Sequence, residues 1–179
     1  MCDQLFTVGH SNQPLDQFLA LLTEHRIKLV ADIRRFPRSK RFPHFNQTNL
    51  QVALRDADIE YVWLEALGGR RHARGRNTSL NMGLENEGFR NYADYMLTFE
   101  FRRGIEELLK SADHKRTAVM CAEALFWRCH RRLVSDFLVA NGLPVHHIMP
   151  SAELQPHKLT PDAVIERGTL TYPGQKELF

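Results

Sequence analysis

Cysteine is scarce in this chain: there are three among 179 residues, at positions 2, 121 and 129. An odd count without framework spacing excludes a disulfide-stapled scaffold and fits a reducing compartment. No apolar run approaches the roughly 20 residues that a bilayer-spanning helix needs. No charged-then-apolar leader precedes the first apolar run, Leu5 to Val8, so the expected location is cytoplasmic and no membrane partner is expected. Internal repeats and low-complexity tracts are absent as well. Over two long stretches the chain also lacks negative charge. No Asp or Glu occurs from Ile33 to Arg55, where Arg34, Arg35, Arg38, Lys40 and Arg41 cluster, or from Ala66 to Leu84, which holds Arg70, Arg71, Arg74 and Arg76. A third cluster is Arg128, Arg131 and Arg132. The net charge of only +3 hides this distribution. Arginines without nearby acids create a local positive field that attracts phosphates.

The 43% of hydrophobic residues suffices for one domain with its own core. Leu5–Val8, Ile27–Ile33, Ile59–Leu64, Thr117–Cys121 and Pro144–Met149 read as strands. Helices are expected from Pro14 through Leu22, over Thr48–Ala57, over Phe89–Ala112 with an interruption at Gly104, and over Cys129–Ala140 before Asn141-Gly142. Alternation of this kind predicts an α/β domain over residues 1–150, its mostly parallel sheet flanked by helices on both faces. Residues 151–179 are expected to form a C-terminal tail that wraps the domain. In such a sheet ligands gather at the carboxyl ends of the strands. Gly9-His10-Ser11, Asp32–Ser39, Leu67–Arg76 and Cys121–Arg132 each follow a strand end, so all four should open onto one rim.

Chemistry concentrates in Cys121-Ala122-Glu123 and Cys129-His130-Arg131-Arg132. A strand end followed by a helix start directs backbone N–H groups and a positive dipole to one place. A thiol there becomes more acidic, and Cys121 is the one expected to benefit. Buried free cysteine is equally common as a small apolar residue. Glu123 suits a general base; with Cys121, His10, Asp32 and His130 it completes the candidate catalytic set. Asp32 can instead pair with Arg34 and shape the loop. A phosphatase loop needs Arg after five spacers from Cys121, but that position is Trp127. Zinc-type ligands are present in Cys121, Cys129, His130 and His10, yet no two cysteines have the short spacing of structural sites, and neither metal nor cofactor is expected. Candidate phosphate-binding residues are Ser11, Arg34, Arg35, Arg38, Arg41, Arg70, Arg71 and Arg131. Phe36, Phe42 and Phe45 alternate with the arginines, as base stacking requires, although pinning the loop to the core would explain them too.

Val8-Gly9-His10-Ser11, Asp32 to Ser39, Phe45-Asn46, Leu67 to Arg71, Cys121-Ala122-Glu123 with Cys129-His130-Arg131, and His157 to Pro161 together resemble a bacterial family described as domain of unknown function 488. The resemblance implies an α/β fold and no established reaction. Ala124 and Leu125 stand where many members of that family carry Asp and Pro. At the end of the sequence, Gln175-Lys176-Glu177-Leu178-Phe179 resembles the Gln-x-x-Leu-Phe peptides that dock on the bacterial sliding clamp, with Leu178 and Phe179 as apolar anchors. These features point to an enzyme acting on DNA or another nucleic acid, by base-excision-type hydrolysis with Glu123 activating water. The alternatives are cysteine-based sulfur or phosphoryl transfer on a small anion through Cys121, and a non-catalytic nucleic-acid-binding adaptor.

Overall fold

The computed structural model describes residues 2–72 and 79–174. Five short apolar runs form the strands β1 (Leu5–Gly9), β2 (Leu29–Asp32), β3 (Glu60–Trp63), β4 (Thr117–Cys121) and β5 (Val145–Ile148), and a sixth, β6 (Leu154–Pro156), follows. Their order is β3-β2-β4-β1-β5-β6, with β6 antiparallel to β5 and every other pairing parallel. The central strands β1, β2 and β4 are buried at every position, as strands covered on both faces must be.

Five helices provide that cover. Helices α1 (Leu15–Glu24) and α2 (Gln47–Asp56) place Phe18, Leu22, Leu50 and Leu54 against Phe6, Val8 and Met120 on one face. On the other, α3 (Glu87–Met96), α4 (Phe99–Ser111) and α5 (Arg131–Ala140) place Tyr92, Phe101, Leu108 and Leu133 against Leu5, Ala31 and Val119. Adjacent strand residues thus point into different cores, the period-two alternation of a pleated strand. The expected α/β architecture is present. No helix of the described residues is long and apolar enough to cross a membrane.

Two boundaries differ from expectation. The helix expected over Phe89–Ala112 is broken at Leu97–Thr98 rather than at Gly104. Thr98 accepts a hydrogen bond from the Phe101 backbone N–H and so starts a new helix. Gly104 lies inside α4 because Leu67 and Ala66 press on it, and an added Cβ would come within 2.9 Å of Leu67 Cδ2. The segment after Pro150 holds more regular structure than its composition suggests. Besides β6 it forms a hairpin, β7 (Val164–Glu166) and β8 (Thr169–Thr171), turning through Arg167 and Gly168, both at positive φ. Tyr172 beyond it is fully buried.

Strands β1 and β4 are neighbours whose chains leave in opposite directions, β1 into α1 on one face and β4 into α5 on the other. This divergence opens a crevice at their carboxyl ends, the usual ligand position of an open α/β sheet.

Candidate active site

The crevice is a cleft of about 970 Å³. Its floor is built by loops that continue the sheet: His10 N–H donates to the Cys121 carbonyl at 3.0 Å, Ser11 N–H to Ala122 O at 2.9 Å, and Ile33 N–H to Met120 O at 2.9 Å. Gly9 allows the close passage, since a Cβ there would lie against the Glu123 carbonyl and the Arg131 guanidinium. Ser11 turns the chain away with φ 49°. The three loops that follow β1, β2 and β4 therefore share one rim, with Arg34 and Glu123 both lining it.

At the centre are Cys121, Cys129 and His130. Cys121 ends β4, and a 3-10 turn over Phe126–Arg128 carries the chain back so that Cys129 and His130 face it. His130 Nδ1 lies 3.5 Å from Cys129 Sγ and 3.9 Å from Cys121 Sγ. The Ile33 carbonyl, 3.1 Å from Nε2, takes the hydrogen on that nitrogen and sets the ring's orientation. Gly69 lies flat over the ring, where a Cβ would be 2.9 Å from Nδ1 and 3.2 Å from Cε1 and Cγ. The thiol that gains from the helix start is Cys129, not Cys121. The Arg131 backbone N–H donates to Cys129 Sγ at 3.4 Å. The hydrogen bond from Cys121 and the neighbouring His130 and Arg131 overcome burial and pull Cys129 well below the usual thiol range. Cys121 is pushed well above it, by that same hydrogen bond and by burial. The expectation that the helix start acts on Cys121 is thus corrected. Helix α5 begins only at Arg131, so its first N–H reaches back to the nearer sulfur.

His10 is buried, with Nδ1 2.8 Å from the Ser11 carbonyl and Nε2 3.2 Å from Arg34 Nη1. An arginine can only donate, so Nε2 accepts and Nδ1–H donates. Burial and the Arg34 charge lower its pKa to about 4. Glu123 is exposed on the rim and has no ion pair or side-chain hydrogen bond among the described residues.

The arginines divide into two kinds. Arg34 pairs with fully buried Asp32 at 2.6 Å and donates to the Phe45 carbonyl at 2.8 Å, and Tyr61 O–H also donates to Asp32. Arg71 donates to the carbonyls of Gly68, Glu65 and Ala66 and lies 3.7 Å over the Tyr95 ring. Arg131 donates to Thr7 Oγ1 and to the carbonyls of Glu123 and Ala124. The sequence suggests phosphate binding for all three; here most of their donors go to loop carbonyls, to Asp32 and to Thr7, while Arg131 Nε is buried without a partner among the described residues. Asp32 likewise serves Arg34 rather than open chemistry. Phe45, expected to stack on a base, is fully buried and stacks on His10 at 4.1 Å. In contrast, Arg38, Arg41 and Arg70 are exposed on the cleft without an ion pair among the described residues, and Arg35 pairs only with Glu65 at its edge. Phe36 is 65% exposed, while Phe42 is half-buried under Arg41. Sequence reasoning left out Arg128 and Phe89, which also line the cleft; Arg128 belongs to the third arginine cluster, and Phe89 carries no such signal. Gln175, Leu178 and Phe179, the expected clamp peptide, lie outside the described residues.

Behind the loops, a buried chain of polar contacts runs to the C-terminal segment. Arg131 Nη1 donates to Thr7 Oγ1 at 3.1 Å, and Thr7 Oγ1 is 2.7 Å from His147 Nδ1. His147 Nε2 is 2.9 Å from His157 Nδ1, and His157 Nε2 is 2.9 Å from Asp136 Oδ1. Every donor meets an acceptor when the hydrogens run one way, from the arginine to the carboxylate. Asp136 also accepts from Thr160 N–H and O–H and from Tyr172 O–H. Burial, followed by His157 and Arg131, depresses the His147 pKa to about 2.

Among protein families, the one described as domain of unknown function DUF488 matches residues 14–138. No curated protein and no solved structure matches the chain.

Proposed function

The chain belongs to the DUF488 family, whose description assigns no reaction, and from the site itself we propose that it is an enzyme acting on nucleic acid, holding phosphates on arginine loops and hydrolysing its substrate in the cleft. One observation carries this reading: Arg38, Arg41, Arg70 and Arg128 surround a single cleft without ion pairs among the described residues. Unneutralised guanidiniums gathered at one concave site attract phosphate oxygens, which they can bind bidentately. Exposed Phe36 offers a face for a base, and stacking of this kind contributes about 1–3 kcal/mol per base. Glu123, unpaired on the rim, is the group to take a proton from water.

Binding to short duplexes should weaken steeply with salt, and R38A with R41A should flatten the slope by about 0.9 for each phosphate that is no longer neutralised. If no binding occurs at low ionic strength, the substrate is a small anion. Glu123→Gln should keep binding and lose turnover by a factor of about 10² to 10⁴; retained turnover would remove Glu123 from the chemistry. Gln175, Leu178 and Phe179 add the sliding clamp as a partner in this reading, checked by titrating clamp with that peptide, where absence of saturable binding removes it.

Cysteine-based transfer on a small anion is the competing reading, and the observation favouring it is the Arg131 backbone N–H at the start of α5 that donates to Cys129 Sγ at 3.4 Å. It requires that thiol to be alkylated by a small electrophile faster than Cys121 and Cys2.

A further inference from the structure

We propose that Cys121, Cys129 and His130 bind one thiophilic divalent cation of the zinc class, leaving a fourth position open to the cleft. Their three ligand atoms lie within 4.8 Å of one another. A tetrahedral zinc ion with Zn–S near 2.3 Å and Zn–N near 2.05 Å requires S···N separations of roughly 3.6 Å and an S···S separation of roughly 3.8 Å. The observed S···N separations are 3.5 and 3.9 Å and the two sulfurs lie within 4.8 Å of each other, so an ion fits once side-chain rotation closes the sulfurs by up to about 1 Å.

Orientation favours a metal over a chance contact. Histidine ligands characteristically donate their other ring nitrogen to a carbonyl or carboxylate, which presents the free lone pair to the ion. His130 does this, with Nε2 on the Ile33 carbonyl and Nδ1 facing both sulfurs. Gly69 packs on the face of the ring, where an added Cβ would be near-equidistant from three ring atoms, so it confines the ring without obstructing the in-plane lone pair. Two thiolates and one imidazole form a soft, borderline donor set that suits zinc rather than magnesium or calcium. His10 is excluded as the fourth ligand because both its ring nitrogens are taken. The remaining position faces the cleft that all three residues line, where a water or a substrate oxygen can occupy it. Structural sites close all four positions with protein, whereas three protein ligands and an open fourth characterise catalytic ones. The sequence conceals this arrangement: seven residues separate the two cysteines, and the turn at Phe126–Arg128 brings them together.

This inference deepens the hydrolytic reading, and rests on it only for the role of the bound water. The test therefore reads the metal without substrate. Reduced, chelator-treated protein is titrated with Co²⁺. One equivalent should produce the visible bands of a tetrahedral site together with a thiolate-to-cobalt charge-transfer band. Cys121→Ser, Cys129→Ser and His130→Ala should each weaken cobalt binding at least about tenfold, while Cys2→Ser leaves it unchanged. In the unmutated protein, added zinc should protect Cys121 and Cys129 from alkylation and leave Cys2 as reactive as before, which keeps the test decisive if a variant fails to fold. A wild-type titration without a charge-transfer band, or a band indifferent to all three substitutions, would overturn the site. Ready closure of Cys121 and Cys129 into a disulfide with no zinc protection would also overturn it and assign the pair to thiol chemistry. Failure of DNA binding alone would count against the nucleic-acid reading and leave the metal site standing.

Discussion

Gly9 and Gly69 hold the candidate site together through what they lack. At Gly9 a methyl group would collide with the backbone of the Cys121–Glu123 loop, which cannot yield without breaking the His10 and Ser11 hydrogen bonds to it. Gly9→Ala should destabilise the fold by about 1–3 kcal/mol, measured by denaturant unfolding. At Gly69 the collision is with the His130 ring, so Gly69→Ala should leave stability closer to wild type and weaken whatever His130 binds. Cobalt affinity and melting temperature measured on the same variant separate these two outcomes. The buried histidines make a second residue-scale prediction. His10 and His147 have folded pKa values of about 4 and about 2, below the unfolded value near 6.5. Between the two values the unfolded chain binds a proton that the folded chain refuses, so stability falls as pH drops through that window. Each histidine contributes a slope of up to about 1.4 kcal/mol per pH unit, from about pH 6.5 down to its folded pKa. Urea unfolding between pH 7 and pH 4.5 should show this loss, and His147→Gln should flatten it. An unchanged slope in that variant would mean that other groups carry the acid sensitivity.

At the scale of elements, Asp136 on α5 is one of the points that hold the segment after β5, beside the β5–β6 pairing and the Tyr172 contacts with Asn81 and Gly83. Tyr172→Phe removes one of the hydrogen bonds on that carboxylate and should cost about 1–3 kcal/mol, as a buried acceptor loses a donor. Its thermal transition should fall measurably while DNA affinity holds, because Tyr172 does not line the cleft. The central strands were readable from sequence as short buried runs, and α1, α2 and α5 from their spacing and terminal residues. The break at Thr98 was not, because a capping threonine inside an amphipathic pattern competes with Gly104, a conventional breaker that packing retains in the helix. Nor were β6, β7 and β8, each three residues long, the first two mostly exposed and the third with only Leu170 buried. Their hairpin turns through Arg167-Gly168, without the Asn-Gly or Asp-Gly signal that marks such a turn.

For the molecule as a whole, strand order decides which basic residues meet. Loops after β1, β2 and β4 are distant in sequence yet border one cleft, and this convergence follows from parallel alternation alone. Which arginines remain available was only partly legible. Asp32 two residues before Arg34 advertised an internal pair. Arg71 and Arg131 are instead held by backbone carbonyls, which every residue carries and no sequence displays. The outcome is an inner ring of arginines that shape loops and an outer ring free for ligand. Substitutions should sort accordingly: Arg131→Ala lowers stability, while Arg70→Ala leaves the melting temperature unchanged and weakens DNA binding. A fluorescence anisotropy titration beside a thermal melt checks both, and a stable, correctly folded Arg131→Ala protein would refute the division.

The buried chain from Arg131 to Asp136 also bears on the order in which the molecule is completed at the ribosome. Arg131 clasps the loop that bears Cys121 and Glu123, and its partner Thr7 reaches Asp136 only through His147 and His157. Residue 157 is translated after every strand of the parallel sheet, and Tyr172 later still. A nascent chain can therefore hold its parallel sheet and most of both cores, though not Leu170 and Tyr172, while the scaffold behind the cleft still lacks its final supports. Those supports arrive only after every parallel strand and helix has been made, so maturation of the site follows assembly of the sheet and does not accompany it.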